Sequence, residues 1–235
     1  MKRSIITTAD GSKTIQIEDW NEQYHSIHGA LQEAKHVYIE NGLHEFLQRQ
    51  PNQKHINILE IGFGTGLNAM LSATDELALQ KSILYHGIEA YPVSSDELQA
   101  LNYSSLLALK SEIFDQLHSA SWNKESQITK HFVLKKRQEF FADIKDVNTF
   151  DIVYFDAFGP RVQPDLWTPS IFKMMYTAMR FGAVLVTYSD TLCMRPILTA
   201  AHAYMDNMYV HGYVQLVVCP IVVARGLHRS LCETN

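Results

Sequence analysis

Three acids end short apolar runs in this chain: Glu60 in ILEIGFGTG, Glu89 in ILYHGIEAYP and Asp156 in FDIVYFDAFGP. Glu60 precedes Gly62, Gly64 and Gly66 in a G-x-G-x-G pattern. That pattern lacks the G-x-G-x-x-G spacing with which a helix N-terminus takes a dinucleotide pyrophosphate. A carboxylate beside such a turn repels a pyrophosphate and favours a cationic ligand. Glu89 stands where one carboxylate can accept hydrogen bonds from both hydroxyls of a ribose. The combination points to a positively charged nucleoside, and S-adenosyl-L-methionine, with its sulfonium and ammonium, has that chemistry. Glu139 in KKRQEFF is a third candidate, as acceptor for an adenine amino group.

Asp156 is the leading catalytic candidate. Methyl transfer from a sulfonium to an amine is an in-line displacement, and it needs a neutral nitrogen lone pair aimed at the methyl carbon. A carboxylate that accepts the amine N–H positions it and can also take up a proton. Trp167 in QPDLWTPSIF reads either as a packed aromatic or as a platform for stacking a base. Other chemistries find less support. Glu33 and His36 share a helical face, but Glu-x-x-His metal sites in bundles need facing pairs and only one copy occurs here. Hydrogen-bonded polar roles or substrate contacts are expected for these residues, with no metal. A serine hydrolase would need a G-x-S-x-G elbow, which is absent.

The acids must be held at strand ends. From residue 56 the sequence alternates short β-rich runs, INILEIG, ILYHGIEA, HFVLKK, FDIVYFDAF and AVLVTYS, with helical segments expected at 67–79, 95–106, Ser111–Ser119 and 169–180. Such alternation predicts an α/β fold with a parallel sheet covered on both faces, whose ligands gather at the strands' carboxyl ends. Thr168 and Pro169 read as the cap and first residue of the last helix. Upstream, a turn is expected at Asp10-Gly11 beside short strands. A helix is then expected through Ile27, Leu31, Ala34, Val37 and Tyr38, with Gly42 as its stop. Residues 1–50 are therefore expected as an N-terminal extension packed on the same domain, and 51–235 as the main domain.

The 235 residues, 46% hydrophobic and 19% charged, suffice for one sizeable core. A net charge of -5 gives no global positive field, so any RNA contact must be local, for example through Lys135, Lys136 and Arg137. Three cysteines, Cys193, Cys219 and Cys232, form no CxxC pair and suit reduced thiols in a cytoplasmic protein. No apolar stretch approaches the length of a membrane span, and there is no internal repeat.

The segments DGS, YHSIHGALQEAKHVYIENGL, ILEIGFGTGLNAML, EAYP, LNY, YFDAFGP, QPDLWTPSIF and LVTYS, in this order, resemble those of the MnmC-like methyltransferases. These enzymes complete 5-methylaminomethyl-(2-thio)uridine at the tRNA wobble position. The resemblance implies a Rossmann-like S-adenosylmethionine-dependent methyltransferase fold with a mostly parallel seven-stranded sheet. It implies cofactor roles for Glu60, Gly62, Gly64, Gly66 and Glu89, and makes Asp156 the acid of the active-site motif. It also implies tRNA contacts by Tyr24, His25, Ser26 and Trp167. The length resembles the stand-alone type, in which a separate enzyme supplies the aminomethyl intermediate. Two other readings stay open: an aminopropyltransferase-like enzyme, which shares the loop and strand-end acids, and a noncatalytic RNA- or nucleoside-binding module. After Ser189 the Lys-, Arg- and Gly-bearing segments of the family are missing and all three cysteines appear, which points to a changed reading frame. Such a change would spare the crevice built by the earlier strands.

Overall fold

The computed structural model describes residues 2–107, 111–188 and 215–218. The chain opens with an antiparallel sheet of β1 (Arg3–Thr7), β2 (Lys13–Ile17) and β3 (Glu22–Gln23). Its first turn is tied by Asp10, whose Oδ1 accepts from Thr8 Oγ1 at 2.7 Å and from the Ser12 amide at 3.0 Å. A helical stretch follows as α1 (Ala30–Ala34), a π-helical segment (Lys35–His44) and α2 (Glu45–Arg49).

This helical stretch differs from the expected one at both ends. It begins after Ile27, which is exposed, and it passes through Gly42 without stopping. A Cβ at Gly42 would lie 2.9 Å from Tyr154 Cε1 and 3.2 Å from Val186 Cγ2, so the missing side chain lets the helix approach the main sheet. Gly42→Ala is expected to destabilise the fold by about 1–3 kcal/mol through overpacking. The gain in helix propensity, about 1 kcal/mol, offsets only part of this. Urea unfolding measures the balance, and a variant as stable as the parent would show that the contact yields without cost.

The main sheet contains β4 (His55–Ile61), β5 (Ser82–Ile88), β6 (Glu125–Thr129), β7 (Phe132–Arg137), β8 (Phe150–Phe155), β9 (Met179–Thr187) and β10 (Gln215–Val218). Their order is β10-β9-β8-β4-β5-β7-β6, parallel throughout except for β6 against β7. The mostly parallel, seven-stranded Rossmann-like sheet is therefore present. The five apolar runs supply β4, β5, β7, β8 and β9. The edge strand β6, ESQIT, has one buried apolar residue, Ile128, among polar ones, too little apolar character to announce itself. Within the atypical tail only β10 is described, pairing parallel with β9. Cys193, Cys219, Cys232 and the question of reading frame lie outside the described residues.

Two helix expectations are corrected by polar side chains. The helix expected at 67–79 is α3 (Leu67–Thr74), and Asp75 then leaves helical geometry to cap a short 3-10 turn. The helix expected at 95–106 splits into α4 (Ser95–Gln99) and α5 (Tyr103–Leu106). Between them Asn102 accepts from the Lys13 amide at 2.8 Å and donates to Gly11 O at 3.0 Å, so the N-terminal hairpin holds the break. Next come α6 (Ser111–Ser119), at the expected bounds, and α7 (Pro169–Ala178), capped by Thr168.

Alternation along the strands sorts the core into two layers. Ile56 and Ile58 of β4 and Ile152 and Tyr154 of β8 pack with Val37, Tyr38 and Met70 under the N-terminal helices. Leu59, Ile61, Val153 and Phe155 pack on the opposite face with Phe172 and Met175 of α7. The same period places Glu60 and Asp156 on the side that carries α3 and Tyr38.

Candidate active site

β4 and β8 are neighbours, and the sheet is built outward from them in opposite directions. A crevice opens at their carboxyl ends, as expected at such a switch point. Its volume is about 1070 Å³, with the glycine loop, Glu89 and Asp156 in its lining. The N-terminal sheet forms another wall. Arg3 reaches Glu97 at 3.2 Å, while Arg161 holds Trp20 O, Asn21 O and Glu22 from the other side.

The glycine loop makes its turn against β5 and β8. The amides of Gly62 and Phe63 both donate to Ile88 O, at 3.0 and 2.9 Å. Gly62 has φ +92°, and a Cβ there would stand 2.6 Å from Asp156 O, a backbone atom that cannot step aside. Gly64 lines the crevice and donates its amide to Glu89 Oε2 at 3.2 Å, while Tyr91 N donates to Glu89 Oε1 at 2.9 Å. Two main-chain donors thus fix the Glu89 carboxylate, and each oxygen keeps a lone pair for a ligand hydroxyl. Burial raises Glu89 above the usual carboxylate range. Gly66 caps α3 outside the lining.

Glu60 and Asp156 meet through a residue that sequence reasoning missed. Asn68, near the start of α3, donates to Glu60 Oε1 at 2.9 Å and to Asp156 Oδ2 at 2.8 Å. Tyr38 donates its hydroxyl to Asp156 Oδ1 at 2.6 Å. Burial pushes Asp156 up to about 6 against the opposing pull of these two donors. Burial, reinforced by Asp156, holds Glu60 well above the usual carboxylate range. Glu33 faces the same cluster from α1, where burial and then the Asp156 charge push it up to about 8. One signal for Asn68 was legible: a lone amide in the otherwise apolar LNAML. Tyr38 carried none, since 118 positions separate it from Asp156.

The remaining expected site residues divide. Tyr24 lines the crevice, with its ring edge-on to Phe158 at 5.0 Å and Arg3 over it at 5.7 Å. His25 also lines it, but its Nε2 shares a hydrogen bond with Thr65 Oγ1 at 2.8 Å, and burial pushes its pKa down to about 4, leaving it neutral. Ser26 lies off the lining, its amide donating to Glu33 Oε1 at 3.1 Å. Trp167 is buried between Phe155 and Phe172, and its indole donates to Phe158 O at 2.7 Å. A buried indole offers no face to a base, so its place is that of packing. Glu139 is paired with Arg137 at 2.7 Å and does not line the crevice. That wall is formed by Phe140, Phe141 and Ala142, with Phe140 edge-on to the exposed Tyr91 at 6.0 Å. Glu33 and His36 do not pair, because His36 turns outward to Glu40 at 2.9 Å.

A fit to S-adenosyl-L-methionine can be judged from the acceptors in this floor. Glu60 Oε2 and Asn68 Oδ1 are buried and have no hydrogen-bond partner of ordinary geometry among the described residues, with the Tyr85 hydroxyl close to Glu60. Both suit the N–H donors of a cation, and among the described residues Arg3 is the one Lys or Arg side chain in the lining. The residues fit the ligand.

Comparison with known proteins agrees. Residues 109–212 match the family described as S-adenosyl-L-methionine-dependent methyltransferase. The MnmC2 structure from Aquifex aeolicus superposes with a TM-score of 0.70 at 24% identity, over 85% of this chain and 64% of that one, which shows a shared fold. Fold, crevice and sequence match point the same way: the chain is similar to S-adenosyl-L-methionine-dependent methyltransferases. Its similar curated relatives carry the name MnmC. The tRNA 5-methylaminomethyl-2-thiouridine biosynthesis bifunctional protein MnmC of Leptospira interrogans is 26% identical over 196 residues, 77% of this chain and 30% of that protein. The protein of the same name from Pseudomonas savastanoi is 26% identical over 203 residues, 81% of this chain and 30% of its own length. The chain thus spans about 30% of the length of these relatives. No helix among the described residues is long and apolar enough to cross a membrane.

Proposed function

We propose that this chain methylates the exocyclic amine of 5-aminomethyl-(2-thio)uridine at the wobble position of tRNA, with S-adenosyl-L-methionine as donor. The observation that carries this reading is Asp156, held by Tyr38 and Asn68 at the floor of a crevice whose other side is the glycine loop. The relatives' printed name supplies the substrate class. Glu60, Gly62, Gly64 and Glu89 would hold the cofactor, which when bound supplies an electrophilic methyl group on sulfur. Asp156 accepts an N–H of the amine and turns its lone pair toward that methyl group. The aromatic walls at Tyr24 and Phe158 exclude water and offer ring edges and faces to a nucleoside. A separate enzyme would supply the aminomethyl intermediate.

Labelled methyl transfer from S-adenosyl-L-methionine to tRNA that carries 5-aminomethyluridine tests the reading. Spermidine formed from putrescine and decarboxylated S-adenosylmethionine would favour the aminopropyltransferase alternative. Cofactor binding with no transfer to any amine would favour a binding module. For the cofactor site itself, Glu89→Ala is expected to weaken S-adenosyl-L-methionine by about 1–3 kcal/mol, the loss of hydrogen bonds to a charged acceptor. Calorimetry on the folded variant checks this, and unchanged affinity would remove Glu89 from the site.

A further inference from the structure

The crevice floor holds two carboxylates joined by one neutral amide. The groups that face Asp156 are Glu33 and Tyr38 from the N-terminal helical stretch, Glu60 from β4, Asn68 from α3, Tyr85 from β5 and Tyr188 after β9. None is a cation. Arg3, the basic side chain in the lining, acts on Glu89 at the far side. A buried acid pair in these surroundings keeps protons that a solvent-exposed pair would lose, and a positive ligand against it expels them.

We propose that the Glu60–Asn68–Asp156 unit is a proton-linked sensor of cofactor charge, releasing a proton when the sulfonium form binds and recovering one when methyl transfer discharges that sulfonium. The inference rests on the cofactor reading of the crevice. In the transfer step the amine lone pair forms the new N–C bond, and the C–S bond breaks with its electron pair remaining on sulfur. Sulfur is then neutral, and the methylated nitrogen is an ammonium with one proton in excess. With the sulfonium charge gone, Asp156 regains its affinity for protons beside that ammonium and accepts the excess proton. The Asn68 amide ties Glu60 to the same event, since it holds one oxygen of each carboxylate. The pair keeps that proton when the neutral product departs, and the next cationic donor expels it to solvent.

Binding calorimetry in buffers of differing ionisation enthalpy counts the protons. Asp156, at about 6, is half protonated near that pH. At that pH S-adenosyl-L-methionine is expected to release about half a proton more than S-adenosylhomocysteine. Affinity for the sulfonium form should rise about tenfold between pH 5 and 7, and affinity for the thioether should stay nearly flat. The direction follows from the charge: the protonated acid, favoured at low pH, gives the cation no counter-charge. Asp156→Asn should flatten the sulfonium curve. Asn68→Ser should move its midpoint upward, because one donor that favours the Asp156 carboxylate is removed, an effect that simple loosening of the fold would not produce. Equal proton counts for the two ligands in the parent chain would overturn the sensor and leave the cofactor site standing. Failure of both ligands to bind would remove the cofactor reading together with the sensor.

Discussion

Asp156→Asn is expected to lower turnover on the order of 10²-fold or more, with cofactor affinity falling by no more than about tenfold. Two losses combine. The amide carries no charge to favour an approaching amine, and it has one acceptor atom where the carboxylate has two. Tyr38 and Asn68 each donate to a different oxygen of Asp156, so the substituted amide must set its NH₂ against one of those donors. Thermal unfolding of the variant separates this local conflict from a general loss of structure. Single-turnover methyl transfer with saturating cofactor reads the chemical step, and a rate equal to that of the parent would exclude Asp156 from it.

Gly62→Ala is expected to destabilise the protein by roughly 2–6 kcal/mol and to abolish measurable cofactor binding. A positive φ in a non-glycine residue costs about 1–3 kcal/mol. Overlap in a packed site costs about 1–3 kcal/mol more. Both apply here, since φ is +92° and the added Cβ would stand 2.6 Å from Asp156 O. The loop cannot escape by sliding, because the amides of Gly62 and Phe63 are fixed to Ile88 O. Urea unfolding and calorimetry together test the claim. A folded variant with parental affinity would show that this turn does not cradle the cofactor.

What the sequence made legible follows from how locally each feature is encoded. The glycine loop, Glu89 and Asp156 each stand at the end of an apolar run, and the rule that such sheets bind ligands at their carboxyl ends brings them together without coordinates. Asn68 and Tyr38 belong to the same site only because of side-chain direction and packing between distant elements. The alternation that aims Glu60 at α3 is visible in β4, but the angle at which α3 crosses the sheet is not. Gly42 misled for a related reason: a glycine that ends a helix and one that lets a helix lie close to a sheet look alike in one dimension. Trp167 and Glu139 stand near the crevice in sequence, yet Trp167 is drawn inward by Phe155 and Phe172 and Glu139 is paired with Arg137. The edge strand β6 escaped notice because a half-buried antiparallel edge strand does not need an apolar run.

The central claim is that Asp156 presents an amine of a tRNA wobble nucleoside to the methyl donor. Nucleoside mass spectrometry of tRNA bearing 5-aminomethyluridine, after incubation of the full chain with S-adenosyl-L-methionine, tests it most directly. One methyl group on the exocyclic nitrogen, formed by the parent and nearly absent with Asp156→Asn, is the predicted result. A methyl group located on the ring or the ribose, or none at all despite calorimetrically demonstrated cofactor binding, would contradict it.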